Sequence, residues 1–238
     1  MMSDPFKFKQ FTVHQDKCAM KVGTDGVLLG AWTSLERHPN SILDIGAGTG
    51  VIALQMAQRS TAELVDAIEL DDNAYEQCVE NFERSPWADR LFCYHSGLDE
   101  FVDEMDEKYD LIISNPPFYE EQVSSGDAPR DAARQNQSLP FNELLKGVSK
   151  LLDNEGLFSV IIPFKSEESF NKIAKDKGLY ANRITRVRGN ASTEIKRSMM
   201  QFGFAKVTPK ETELVIEKSR HQYTRDYVEL TKDFYLKM

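Results

Sequence analysis

The chain has few of the residues that build metal centres and disulfide frameworks. Its 238 residues include three cysteines and four histidines, and neither set has the close spacing of metal ligands. The cysteines (Cys18, Cys78 and Cys93) lie far apart in the sequence, which is typical of reduced, packed thiols. We therefore expect a protein that binds no metal ion and folds in a reducing compartment.

Long apolar runs are also missing. The longest apolar stretches, such as residues 157–164, are much shorter than the roughly 20 residues that span a bilayer. The first residues, MMSDPFK, are charged and contain no apolar segment of the secretory kind. These features predict a cytoplasmic protein without a membrane-bound part, and we expect it to act as a monomer.

Basic residues are not in excess, since the formal net charge is −9. A negative net charge weakens long-range attraction to nucleic acids, although a local basic surface can still bind phosphates. Cations near both ends of the chain are candidates for such a surface, and an ordinary solvated face is the alternative. The candidate nucleic-acid contacts are Lys7, Lys9, Arg186, Arg188, Lys196 and Arg197.

Short apolar runs alternate with helical segments from residue 41 onward. The runs that predict buried strands lie at residues 41–45, 64–70, 91–95, 109–114 and 157–163. This alternation predicts an α/β fold with a mostly parallel, seven-stranded sheet and helices on both faces. Three strand-like segments after residue 179 lack helices between them, which predicts an antiparallel C-terminal edge. We expect one domain over residues 1–238, with its core at 41–238.

A glycine-rich turn follows the first predicted strand. It reads DIGAGTG from Asp44 to Gly50, and its glycines allow a sharp turn and close approach of a ligand. Glu69 ends the next strand about twenty residues later, where a carboxylate can accept hydrogen bonds from ribose hydroxyls. Asp44 would repel a pyrophosphate and attract a cationic ligand. The turn therefore favours S-adenosylmethionine over a dinucleotide or a purely structural role.

The sequence Asn115-Pro116-Pro117-Phe118 ends the fourth strand of the predicted sheet. An exocyclic amine such as adenine N6 is a weak nucleophile, because its lone pair is delocalised into the ring. The Asn115 side-chain oxygen and the Pro116 carbonyl could each accept one hydrogen of that amine and favour its pyramidal form. Phe118 could stack on the target base. A proline turn that simply ends a strand is the alternative.

These two motifs together resemble the amino-methyltransferases of class I. The start of the chain narrows the resemblance, because FKFKQF (residues 6–11) and AMKVGTDGVLLGAW (residues 19–32) are similar to the valine-tRNA adenine-N6 methyltransferases. The C-terminal sequence from Tyr223 is also similar to that family. The resemblance implies a Rossmann-like class I methyltransferase fold, S-adenosylmethionine as the cofactor and adenine 37 of a tRNA as the substrate.

The resemblance also implies that residues 1–40 extend over the cofactor site. Lys21, Thr24 and Asp25 would then contact the methionine end of the cofactor, although a plain loop and helix start would have the same sequence. The predicted cofactor contacts are Lys21, Thr24, Asp25, Asp44, Gly46, Ala47, Gly48, Gly50, Glu69, Leu70, Gly97, Leu98 and Asn115. The predicted catalytic residues are Asn115, Pro116, Pro117 and Phe118. The polar residues 127–137 are predicted to face the substrate.

Three other functions fit parts of this pattern. Enzymes with Asn-Pro-Pro-aromatic sequences also methylate the glutamine amide of release factors, but those usually have a helical domain before the fold. A guanine amine of ribosomal RNA is chemically possible as the target. A binding module that has lost activity is a third alternative, which the intact Asp44, Glu69 and Asn115 disfavour.

Overall fold

The structure is a computed structural model that describes residues 4–117 and 139–238. Phe118 and the predicted substrate-facing segment 127–137 lie outside the described residues. The strands are β1 (Phe6–Lys7), β2 (Thr12–Val13), β3 (Ser41–Ile45), β4 (Leu64–Glu69), β5 (Leu91–His95), β6 (Tyr109–Ser114), β7 (Leu152–Pro163), β8 (Tyr180–Asn190), β9 (Ile195–Gly203), β10 (Lys210–Ser219) and β11 (Gln222–Tyr223). The helices are α1 (Thr24–Trp32), α2 (Val51–Arg59), α3 (Asp72–Glu83), α4 (Leu98–Glu104), α5 (Phe141–Leu151), α6 (Glu167–Asp176) and α7 (Arg225–Thr231).

One large sheet crosses the protein, with the strand order β11-β10-β8-β9-β7-β6-β3-β4-β5. The strands from β7 to β5 are parallel to one another, whereas β9 is antiparallel to both β7 and β8. The predicted parallel sheet with an antiparallel C-terminal edge is therefore confirmed. Within the described residues the sheet has nine strands rather than the predicted seven, because β10 pairs in parallel with β8 and the short β11 pairs with β10.

Helices pack on both faces of the sheet and enclose two apolar cores. The first core joins α1, α2, α3 and α7 to one face, and includes the buried residues Leu28, Leu54 and Phe82. The second core joins α4, α5 and α6 to the other face, and includes Leu144 and Phe170. Burial of one such side chain contributes about 1.5–3 kcal/mol to folding. Both cores leave the carboxyl ends of the parallel strands uncovered for a site.

A buried carboxyl group lies in the interior beneath α4. Asp66 on β4 is 1% exposed, and the Tyr109 hydroxyl donates a hydrogen bond to its Oδ2 at 2.6 Å. Burial raises the pKa of Asp66 from 3.8 to about 6, although the Tyr109 hydrogen bond opposes the rise. The folded protein therefore binds a proton at Asp66 more tightly than the unfolded chain does, and stability falls as the pH rises between these values.

We expect Asp66→Asn to remove this part of the pH dependence. Between pH 4 and pH 6.5 the wild-type protein should lose up to about 3 kcal/mol more unfolding free energy than the variant. Urea denaturation at several pH values measures the difference. Asp89→Asn is the matched control, because Asp89 is exposed. Parallel stability curves for wild type and Asp66→Asn would contradict the proposed titration.

Candidate active site

The carboxyl ends of β3, β4 and β6 border one large cavity of about 1060 Å³. The turn after β3, the residues after β5 and the start of α1 complete its wall, and α5 borders its far side. A smaller cleft of about 470 Å³ lies near Arg183, toward the amino ends of β8 and β10 and thus at the opposite end of the strands. The large cavity is the candidate site, because it brings together the glycine turn and the Asn-Pro-Pro sequence.

Two glycines of the turn after β3 face open space in the cavity. Gly46 and Gly48 have φ values of 73° and 57°, and a Cβ added at either would meet no atom within 4 Å. A larger residue would strain the backbone and occupy the space available to a ligand. Gly50 also has a positive φ, but its added Cβ would collide with Phe82 and Cys78. Gly50 therefore permits packing behind the cavity and does not line it.

Asp44 is completely buried behind the glycine turn and does not line the cavity. Its Oδ2 accepts a hydrogen bond from the backbone N–H of Ala53 at 3.2 Å, which satisfies an amide in the first turn of α2. Its buried Oδ1 has no hydrogen-bond partner. Burial raises the pKa of Asp44 to about 7, and the nearby Glu69 charge adds to the rise. A cationic ligand at this turn would favour the ionised carboxylate.

The Glu69 carboxylate joins the glycine turn to the end of β4. Its Oε2 accepts a hydrogen bond from the Gly48 N–H at 2.7 Å, and its Oε1 accepts from the N–H groups of Leu70 and Asp71, both at 2.9 Å. The sequence predicts only that Glu69 would accept ribose hydroxyls. Because Oε2 has a second lone pair, Glu69 can hold the turn and still accept one further hydrogen bond.

Asn115, Pro116 and Pro117 line the cavity at the carboxyl end of β6. The hydroxyl of Ser114, the last residue of β6, donates to the Ile45 carbonyl at 2.9 Å and so fixes this end of β6 against β3. Among the described residues, the Asn115 side chain makes no hydrogen bond. Helix α1 passes close to it, since a Cβ added at Gly26 would lie 3.8 Å from Asn115 Nδ2. The Asn115 amide is therefore held at the cavity with its polar atoms available.

The N-terminal segment forms one wall of the cavity from Cys18 to Gly26. Asn81 on α3 fixes this segment, because its side chain exchanges hydrogen bonds with the backbone N–H and C=O of His14. The same Asn81 amide donates to the Thr49 carbonyl in the glycine turn at 2.9 Å. Asn81 is 1% exposed and stands out in the sequence neither by motif nor by spacing. Sequence reasoning therefore missed it.

The predicted contacts in the N-terminal segment lie at the cavity but differ in their partners. Lys21 and Thr24 are exposed residues of its lining. Asp25 also lines it, and its Oδ2 forms an ion pair with Arg197 Nε at 2.7 Å. This pair connects α1 to β9 across 172 residues of sequence. Arg197, predicted as a nucleic-acid contact, is thus part of the cavity wall.

Leu70, Gly97 and Leu98 lie together on another part of the cavity wall. Leu70 is 57% exposed, which is high for a leucine and leaves an apolar surface for a ligand. His95, which sequence reasoning missed, supports it from below: His95 Nε2 lies 3.1 Å from the Leu70 carbonyl and 3.0 Å from Asp72 Oδ1. The His95 ring also stacks on Tyr75.

The predicted basic contacts do not form one continuous surface. Lys7 is exposed on β1, and the Lys9 ammonium donates to the C-terminal Met238 carbonyl at 2.8 Å. Arg186 pairs with Glu167 at 2.6 Å and Glu211 at 2.8 Å, and Arg188 pairs with Glu213 at 2.7 Å. Lys196 is exposed beside Arg197. Of these six residues, Lys196 and Arg197 lie nearest the cavity.

Comparison with known proteins supports a single family. The Methyltransferase small domain family matches residues 23–139. A tRNA1(Val) (adenine(37)-N6)-methyltransferase of Christiangramia forsetii is 58% identical over 240 residues, covering all of both chains. Proteins of the same name from Flavobacterium johnsoniae and Bacteroides fragilis are 58% and 47% identical, covering 98% and 100% of this chain and all of each relative. The chain belongs to the tRNA1(Val) (adenine(37)-N6)-methyltransferase family.

Solved structures with the same fold agree with this family assignment. A predicted O-methyltransferase from Agrobacterium tumefaciens superposes with a TM-score of 0.69 at 18% identity, covering 88% of this chain and 96% of the other. TYW2 from M. jannaschii, solved in complex with AdoMet, superposes with a TM-score of 0.55 at 14% identity, covering 85% of this chain and 86% of the other. At such low identity the similarity establishes the class I methyltransferase fold that the sequence predicts.

Neither a membrane-spanning helix nor a metal-binding cluster occurs in the part of the chain that the structure describes. Within residues 4–117 and 139–238, every helix is too short or too polar to cross a lipid bilayer. The same residues contain no group of three or more His, Cys, Asp or Glu side chains placed to hold a metal ion.

We expect Glu69→Gln to destabilise this family member. A glutamine has one acceptor oxygen for the three backbone N–H groups that Glu69 now satisfies, so at least one polar group loses its partner. The unfolding free energy should fall by about 1–3 kcal/mol, as measured by chemical denaturation. Glu63→Gln is the matched control, because Glu63 is exposed. Equal stability of the two variants would show that Glu69 does not hold the turn.

Proposed function

We propose that this protein transfers a methyl group from S-adenosylmethionine to N6 of adenine 37 in a valine tRNA. The relatives that match its full length carry this activity in their name. The observation on which the proposal depends is the position of Asn115, Pro116 and Pro117, which border the same cavity as the glycine turn. The reaction would take place in the cytoplasm, where the tRNA is found.

The residues around the glycine turn suit S-adenosylmethionine. Gly46 and Gly48 leave open space that a Cβ would fill, and Asp44 has a buried oxygen without a partner near the turn. Glu69 would accept from the ribose with its remaining lone pair, Leu70 and Leu98 would contact the adenine, and Lys21 and Thr24 would lie at the methionine end. Bound there, the cofactor supplies an electrophilic methyl group on a sulfonium.

Asn115 and Pro116 would prepare the target amine for attack. The Asn115 Oδ1 and the Pro116 carbonyl accept one N6 hydrogen each, which localises the nitrogen lone pair and orients it. The fixed φ of two successive prolines keeps these acceptors in place when the base binds. No general base is needed before methyl transfer, since the amine loses a proton only after it has become cationic. The protein therefore contributes orientation, exclusion of water and hydrogen bonds.

An experiment with several substrates can distinguish this proposal from methylation of another conjugated nitrogen. Purified protein and labelled cofactor would be incubated separately with tRNA, ribosomal RNA and a release factor, followed by nucleoside or peptide mass spectrometry. The proposal expects N6-methyladenosine at position 37 of valine tRNA. Label only in the release factor or only in ribosomal guanine would replace it with one of those substrates. No label in any pool would favour a binding module without activity.

We expect Asn115→Ala to impair methyl transfer and leave cofactor binding largely intact. Loss of an acceptor that acts in the transition state should cost about 2–4 kcal/mol, or roughly 30- to 1,000-fold in kcat. Single-turnover methylation of tRNA and calorimetric titration of cofactor separate the two effects. Asn142→Ala, at an exposed position on α5, is the control. Near-normal turnover by Asn115→Ala would refute the role proposed for this residue.

We also expect cofactor affinity to depend on pH through Asp44. Because the pKa of Asp44 is about 7 in the free protein, binding of a cationic ligand to the ionised form releases a proton below that pH. The affinity should therefore fall about tenfold per pH unit below pH 7 and level off above it. Asp44→Asn should bind more weakly at pH 8 with a flat profile. Calorimetry in buffers of different ionisation enthalpy counts the protons, and equal slopes for both proteins would exclude Asp44.

A further inference from the structure

An exposed aromatic ring and a lysine lie together at the end of the sheet that carries the active site. We refer to Phe164 and Lys196 as the β7–β9 edge. We propose that Phe164 stacks on an RNA base that neighbours the target adenine, and that Lys196 binds a phosphate beside that base. This inference rests on the proposed function and identifies the surface that receives the RNA.

The strand register places these residues beside a residue of the cavity wall. Ser114 of β6 pairs with Val160 of β7, and β7 continues for three residues to Pro163, so it extends roughly 10 Å beyond the level of Ser114. Pro163 in turn pairs with Arg197 of the antiparallel β9. Phe164 and Lys196 follow at the next position of each strand. They lie beside Arg197, which lines the cavity together with Asn115.

Phe164 is 38% exposed, in contrast to the buried aromatic residues of the second core. The Arg186 guanidinium lies 5.9 Å from the centre of its ring. Two carboxylates, Glu167 and Glu211, hold that guanidinium in place. Arg186 therefore supports the ring and is not positioned as a separate phosphate contact. A ring that is fixed yet partly exposed is suited to stacking, because it loses little conformational freedom on binding.

Lys196 supplies a cation next to the exposed ring. It is exposed, and the register places it opposite Phe164 at the position after the Pro163–Arg197 pair. Among the described residues, Glu167 and Asp25 at this edge are paired with Arg186 and Arg197. An exposed ammonium group beside an exposed ring can bind a phosphate next to a stacked base although the net charge of the protein is −9.

An aromatic ring beside a cation is an arrangement with which proteins bind single-stranded RNA. Each stacked base adds binding energy without requiring a particular sequence, and the cation contacts a phosphate. An adenine beside an anticodon lies in a loop whose bases can unstack, so its neighbour is available for Phe164. A protein partner would require a broader apolar surface than one ring.

The first test compares Phe164→Ala, Phe164→Leu and Phe164→Trp with Phe92→Ala. Phe92 is the matched control, because it is 45% exposed on β5 at the far edge of the sheet. We expect Phe164→Ala and Phe164→Leu to raise the Kd and KM for tRNA by about 5- to 100-fold, with cofactor affinity and thermal stability unchanged. Phe164→Trp should retain tRNA binding.

Several outcomes would overturn the inference. Normal tRNA affinity of Phe164→Ala would do so, and so would full activity of Phe164→Leu. An equal loss of tRNA affinity in Phe92→Ala would also contradict it. A loss of stability or cofactor affinity in Phe164→Ala and Phe164→Leu that accounts for the lower tRNA binding would also overturn it, since the ring would then act in packing. If wild-type protein methylates tRNA while the Phe164 variants behave normally, only this inference fails. If wild-type protein methylates no RNA, the proposed function fails as well.

The second test addresses Lys196. The variant Lys196→Gln should reduce the slope of log Kd against log salt by roughly 0.7. The matched control is Lys210→Gln, at an exposed position at the amino end of β10. An unchanged salt slope in Lys196→Gln, or an equal change in the control, would remove Lys196 from the RNA surface.

Discussion

The hydrogen bonds of the Glu69 carboxylate hold the glycine turn at the centre of the candidate site. Its two oxygens accept from Gly48 in the turn after β3 and from Leu70 and Asp71 after β4. The turn needs this support, because three of its residues have positive φ and its backbone faces a cavity. Behind the turn, Asp44 satisfies an amide of α2. Glu69 therefore holds the backbone of the glycine turn while Asp44 holds the start of α2 behind it, and the negative potential of the two side chains suits a cationic ligand.

The N-terminal segment completes the site through a second set of contacts. The Asn81 amide binds both the backbone of His14 and the Thr49 carbonyl, so the segment and the glycine turn share one support. Asp25 binds Arg197 on β9, which connects the same segment to the antiparallel part of the sheet. The wall of the cavity thus depends on contacts among residues that are far apart in the sequence. Displacement of α1 would alter the surroundings of Asn115 as well as the part of the wall that contains Lys21 and Thr24.

The fold was predictable from the sequence because its signals are local. Alternating apolar runs and helical segments, the turn from Asp44 to Gly50 and the prolines after Ser114 each fit within a few residues, and they determine the parallel sheet and the end of each strand. The roles of buried amides were not predictable, since Asn81 has partners 67 and 32 residues away. Asp44 and Gly50 lie behind the residues that line the cavity, and their contacts with a ligand stay predictions. Spacing alone cannot separate a residue that faces a ligand from one that supports the turn.

The ion-pair partners of the basic residues could not be predicted from the sequence either. Arg186 and Arg188 lie two residues apart on one strand and would suggest a cationic stripe, yet β10 runs alongside and supplies Glu211 and Glu213 as partners. Reversal of the chain at β9 instead brings Lys196 and Arg197 to the edge where β7 ends. Because neighbouring strands decide which charges are neutralised, the count of lysines and arginines cannot locate an RNA surface, and a net charge of −9 is compatible with one. What matters is which cations stay exposed beside the cavity once the neighbouring strands have supplied their carboxylates.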